Sequence, residues 1–180
     1  MFSFTRLFLL AALLVFATTL WAKDSSARPM VGVGMASVDA DFSGLKNDQD
    51  EVFVFKAGVV FATSRIYADW SLHTWPEAET VVIRANYERL FTLLPRLQLF
   101  AGINTSLVDL DIDSMHLQED YETGPGLGAQ AGILAHLGAG WYLEAGARYN
   151  YFWVDSPSEI EGRVELNSMS EAFASLVFAY

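Results

Sequence analysis

The segment LNSMSEAFASLVFAY, residues 166 to 180, alternates in polarity up to its final ring. Leu166, Ala172, Ala174, Leu176, Phe178 and Tyr180 share one parity, while Asn167, Glu171, Phe173 and Ser175 share the other. Successive side chains of a strand point to opposite faces, so this spacing predicts a β-strand with one apolar face. Chain ends of soluble domains usually fray. A strand patterned to its last ring needs a partner, and a sheet closed on itself supplies one by joining its final strand to its first.

Reading outward with period two gives eight candidate strands, at residues 28–38, 51–62, 64–75, 79–91, 95–108, 121–137, 140–153 and 166–180. A tilted transmembrane strand needs about 9 to 11 residues, and each window supplies them. The connections alternate in length. Short ones fall at 62–65, 92–95 and 137–140, and long ones at 39–50, 109–120 and 154–165, with 75–78 a short exception on the long side. Transmembrane barrels join their strands by tight turns at one end and longer loops at the other. The long connections also hold much of the acid, including Asp39, Asp41, Asp50, Glu51, Asp109, Glu122 and Glu165.

Alternation alone does not say which face of a barrel is inside. Aromatic placement decides it. Trp141, Tyr149, Tyr151, Trp153, Phe91 and Tyr180 stand at strand ends on the apolar parity, as a girdle at the two lipid interfaces requires. The expected fold is therefore all-β, an eight-stranded antiparallel up-and-down transmembrane β-barrel, with its apolar face outward.

The other end of the chain sets the compartment. Arg6, the apolar run from Leu7 to Ala17 and the small Ala22 make residues 1–22 read as a secretory signal peptide, leaving 23–180 as one barrel domain. The apolar run is too short to cross a bilayer as a helix. The chain has no Cys, which removes disulfides, thiolate metal sites and lipoprotein anchoring. Loss of Arg6 with the leader moves the net charge from −11 to −12, so nucleic acid is not an expected partner.

With apolar side chains outward, the lumen receives Lys56, Asp69, His73, Arg84, Glu88, Gln98, Asn104, Gln130, His136, Glu144 and Arg148. An eight-stranded barrel is only wide enough to be filled by its own side chains or to hold one small ligand. Charges confined there must pair. The expected network consists of Lys56, Asp69, Arg84, Glu88, Glu144 and Arg148. Its candidate partnerships are Lys56 with Asp69, Asp69 with Arg84, and Glu144 and Arg148 with Gln130 or His136. Gly124, Gly126, Gly128 and Gly132 share the inward parity and make room for bulky neighbours. Asp69, Ser71 and His73 share a face, but they point to the lumen with the hydroxyl between acid and imidazole, so no catalytic residue is assigned. Asp109, Asp111, Asp113 and Asp120 fail as a calcium loop because Ser114 stands where a Gly is needed. No metal or cofactor site is expected.

Across the mature chain these features resemble the eight-stranded transmembrane domain of the OmpA family and its small OmpX, Ail and opacity-type relatives. The resemblance rests on the leader, the strand and loop rhythm and the ending Leu176, Val177, Phe178, Ala179, Tyr180. It implies a bacterial outer-membrane protein with both ends periplasmic, whose Leu176, Phe178 and Tyr180 are read by the barrel-insertion machinery. No residues follow the eighth strand, so a peptidoglycan-binding domain is not expected. The implied role is structural or surface-interacting, with acidic loops meeting lipopolysaccharide or a host or cell-surface ligand. The alternative is a narrow porin-like channel for small solutes, as in OmpW-type relatives, and a lipid-modifying enzyme is a distant third.

Overall fold

The computed structural model describes residues 27–43, 48–75, 78–112, 121–156 and 164–180. The leader and the Lys23 start of the barrel domain lie outside them. Eight strands follow in order: β1 Arg28–Ser43, β2 Asp48–Val60, β3 Ser64–Trp75, β4 Ala78–Leu94, β5 Leu97–Ile112, β6 Tyr121–Gly138, β7 Trp141–Ser156 and β8 Val164–Ala179. Each pairs antiparallel with the next, and β8 pairs with β1 from Ala179 opposite Met30 upward, closing the barrel. The Tyr180 amide donates to the Pro29 carbonyl at 3.1 Å, so backbone pairing runs to the last residue. The β6–β7 connection has positive φ at both Ala139 (49°) and Gly140 (82°), the sign a type I′ hairpin turn demands.

Several strands run further than the polarity pattern indicates. β1 continues past Val38 to Ser43, β5 past Val108 to Ile112, and β7 past Trp153 to Ser156. Asp39, Asp41, Asp50, Glu51, Asp109, Glu122 and Glu165 therefore stand on paired strands, not in loops. The reason is that alternation records contact with lipid, whereas ladder hydrogen bonds continue beyond it. On β1 the outward row shows the change directly, passing from Val31, Val33 and Met35 to Ser37, Asp39 and Asp41. Asp113, Glu119, Asp120, Glu159 and Glu161 lie outside the described residues.

Outward-facing rings and aliphatics form the belt. Phe53, Ile103 and Tyr180 are each more than 60% exposed, and Trp141, Tyr149, Tyr151, Trp153 and Phe91 also point out. Leu166 does not. It is buried opposite Val154 on β7 and Phe42 on β1, because register shifts between Tyr151 and Val154 and between Asp41 and Phe42 reverse the parity of the upper part of β8. A bulge sets two residues against one and so moves a side chain to the other face.

The interior is layered. Met30, Leu90, Phe100, Leu134 and Val177 are buried toward the short-turn end, and Val38, Val82, Val108, Phe152 and Met169 toward the other. Between them lies a belt of buried charge. Glycine makes the layers fit. Gly132 and Gly146 face each other across β6 and β7, and a Cβ on either would stand 2.5 or 2.8 Å from the Phe100 ring.

Candidate functional site

Register builds the site first. It sets Asp69 opposite Arg84 and Arg65 opposite Glu88 on β3 and β4. It sets Gln130 opposite Arg148 on β6 and β7, and Arg148 opposite Glu171 on β7 and β8. All are inward and buried. Curvature then brings strands face to face across the bore.

Asp69, Arg84, Glu171 and Arg148 form a closed four-member ring of alternating charge. Arg84 Nη1 donates to Asp69 Oδ1 at 3.0 Å, and its Nη2 donates to Glu171. Arg148 Nη2 donates to Asp69 Oδ2 at 2.9 Å, and Nη1 reaches Glu171 Oε2 at 3.4 Å. Below it runs a second chain. Lys56 Nζ donates to Glu144 Oε1 at 2.8 Å, Arg65 Nη1 donates to Glu144 Oε2 at 2.9 Å, and Arg65 Nε donates to Glu88.

Gln130 ties the two together. Its Nε2 lies 2.7 Å from Glu88 Oε1 and 3.0 Å from Asn86 Oδ1, while its Oε1 accepts from Arg148 Nε at 2.6 Å. Tyr67 adds an O–H donor to Glu88 at 2.7 Å. The cations also lie on ring faces, Lys56 4.4 Å from the Phe173 centroid and Arg65 4.9 Å from that of Phe100. Charges this dry persist only when paired and hydrogen-bonded.

Lys56, Asp69, Arg84, Glu88, Glu144 and Arg148 all come together, with some partners exchanged. Lys56 stands opposite Asp69 in register yet reaches across the bore to Glu144. Arg84 does hold Asp69, and Arg148 does bond Gln130. Glu144 takes Lys56 and Arg65 rather than Gln130 or His136. Two members escape the sequence reading. Arg65 falls at the edge of the 62–65 connection, although its parity with Tyr67 and Asp69 marks it as inward. Glu171 carries the inward parity of Phe173 and Ser175, and β8 pairing sets it beside Arg148. With both, Lys56, Arg65, Arg84 and Arg148 balance Asp69, Glu88, Glu144 and Glu171.

The Asp69, Ser71 and His73 row is not arranged for catalysis. Ser71 Oγ lies 2.8 Å from His73 Nε2 but also accepts from Arg84 at 3.2 Å, and Asp69 is engaged by two arginines. His73 Nδ1 stands 4.0 Å from Asp50 Oδ2, and its ring stacks on Trp75. Serine and histidine are fully buried inside the barrel, away from lipid. Asp109 accepts from Thr123 at 3.1 Å, and the described residues contain no group of three acid or histidine side chains able to hold a metal.

Known structures share this architecture. Neisserial surface protein A is 20% identical, covers 87% of this chain and 100% of its own, and superposes with a TM-score of 0.73. Ail, the attachment invasion locus protein of Yersinia pestis, is 12% identical, with coverage of 86% and 99% and a TM-score of 0.60. Outer membrane protein H of P. aeruginosa is 20% identical, with coverage of 85% and 99% and a TM-score of 0.60. No curated protein matches in sequence. At these identities the likeness is one of fold. Residues 8–170 match the outer membrane protein beta-barrel domain, and the chain belongs to that family of bacterial outer-membrane barrels.

Proposed function

We propose that this protein is a closed outer-membrane scaffold whose acidic end is its working surface, and that it does not transport solute or catalyse a reaction. The observation that carries this is the ion-pair network, which links residues of β2, β3, β4, β6, β7 and β8 across the bore. An ion entering would have to replace contacts that each buried charge needs. In this reading residues 1–22 direct export, and both ends and the short turns face the periplasm. Asp39, Asp41, Asp50 and Glu51 then face outward, beside lipopolysaccharide or a ligand on another cell. The fold neighbours named for surface and attachment roles agree with it.

A narrow passage is the second reading, and one observation favours it. His73 Nδ1, Thr80 Oγ1, Ser106 Oγ and both amide atoms of Asn104 are buried without a hydrogen-bond partner among the described residues. Buried polar groups of this kind are normally satisfied by water. A wet upper lumen above a closed network is a vestibule; a wet lumen through an opening network is a pore. Residues 23–180 refolded in detergent and placed in a planar bilayer should be electrically silent. Reproducible single-channel steps, abolished by a change at Arg84 or Arg148, would reverse the order of the two readings.

A further inference from the structure

At the short-turn end the barrel opens into a cavity of about 170 Å³ whose polar lining is Arg28, Arg65, Arg96, Gln98, His136 and Tyr142. Among the described residues no carboxylate lines it. This is unexpected in a chain with 22 acidic and 11 basic residues. The acids near this end, Glu88 and Glu144, are fully buried and already held by Arg65 and Lys56.

Arg65 belongs to both the network and the cavity. It is 1% exposed; its Nε serves Glu88, its Nη1 serves Glu144, and its Nη2 is buried with no hydrogen-bond partner among the described residues. A guanidinium nitrogen in that state is costly unless something accepts from it. Arg28 is oriented at the same wall by donating from Nη2 to the Tyr142 hydroxyl at 3.1 Å. The His136 ring stacks on Tyr142 with centroids 4.8 Å apart.

We infer that this cavity is a binding site for a phosphate group, held by Arg28, Arg65 and Arg96 with Gln98 and Tyr142 beside them. The donors outnumber what the two oxygens of a carboxylate can accept, whereas phosphate offers an oxygen to each, and guanidinium matches it in geometry. A water occupies about 30 Å³ of liquid, so the space suits one phosphate with a little water. The remaining wall, including Phe61, Leu90 and Val177, is apolar and would tolerate the glycerol stem of a phospholipid as well as free phosphate.

The test is a calorimetric titration of the refolded mature chain at constant ionic strength in chloride, with inorganic phosphate as one probe and short-chain phosphatidylglycerol below its micelle concentration as the other. Saturable binding is expected, weakened about tenfold in Arg28→Gln and in Arg96→Gln, each loss being that of one charged hydrogen-bond donor. Both residues lie outside the ion-pair network, so folding, read from the gel shift on boiling, should be kept. Arg65→Lys keeps a cation for Glu88 and Glu144 without the spare Nη2, and should also bind more weakly. Binding of phosphate alone assigns a free anion; displacement of phosphate by the lipid assigns a headgroup. Failure of both probes to saturate, or unchanged affinity in Arg28→Gln and Arg96→Gln, would overturn the site.

Discussion

At the scale of single residues, Asp69 is a carboxylate that holds both arginines of the ring. It accepts from Arg84, from Arg148 and, at 2.8 Å, from Asn86. Asp69→Asn would leave two guanidinium groups short of their counter-charge in a dry interior. Breaking one side of such a pair costs about 3 to 5 kcal/mol, so the urea midpoint of the refolded barrel should fall clearly. An unchanged midpoint would mean that water already reaches Arg84 and Arg148. Gly146 makes the complementary prediction for packing. A methyl there would meet the Ala131 carbonyl at 2.7 Å, the Phe100 ring at 2.8 Å and the Phe173 ring at 2.9 Å. Overfilling of this kind costs about 1 to 3 kcal/mol, and Gly146→Ala should show it in the same unfolding measurement. The inward parity of both residues is legible in the alternation around them. Their partners are not, because those come from strands far away in sequence.

At the scale of elements, each strand carries a record of its surroundings along its length. Ile103 is 65% exposed and stands between Tyr87 and Ala129, within the apolar row. Ile103→Arg should cost about 2 to 4 kcal/mol if that row faces the membrane interior, while Asp41→Arg, beyond the Ser37 transition, should be near neutral. Equal costs would remove the belt. The eighth strand carries a second expectation. Its outward Leu176, Phe178 and Tyr180 stand in the pattern the insertion machinery reads in similar barrels, and Tyr180 is the last residue held to β1. Deletion of Tyr180 should therefore leave more chain in the periplasm, measured by fractionation of cells; normal membrane yield would deny the signal. Strand existence and facing were readable from period two, but strand ends were not. The ladder between β1 and β8 continues to Ser43 and Glu165, through residues whose polarity carries no sign of it.

At the scale of the whole molecule, charge is divided along the barrel axis. Arg28, Arg65, Arg89 and Arg96 stand toward the short-turn end, and Asp39, Asp41, Asp50, Glu51, Asp109 and Glu165 toward the other. A closed bore keeps these two surfaces separate, which is why silent bilayer recordings and a phosphate site at one mouth are compatible expectations. The sequence alone determined the strand number, the outward apolar face and the facing of residues away from the bulges that turn Leu166 inward, since these depend only on a period of two and on the mismatch between charge and lipid. It also held the adjacent-strand pairs, Asp69 with Arg84 and Arg148 with Glu171, once register was known. Lys56 with Glu144, Arg65 with Glu144, Arg84 with Glu171 and Arg148 with Asp69 were decided only by the tertiary structure. Those contacts join strands that are not neighbours in the sheet, and nothing but closure of the barrel brings their inner faces within hydrogen-bond reach.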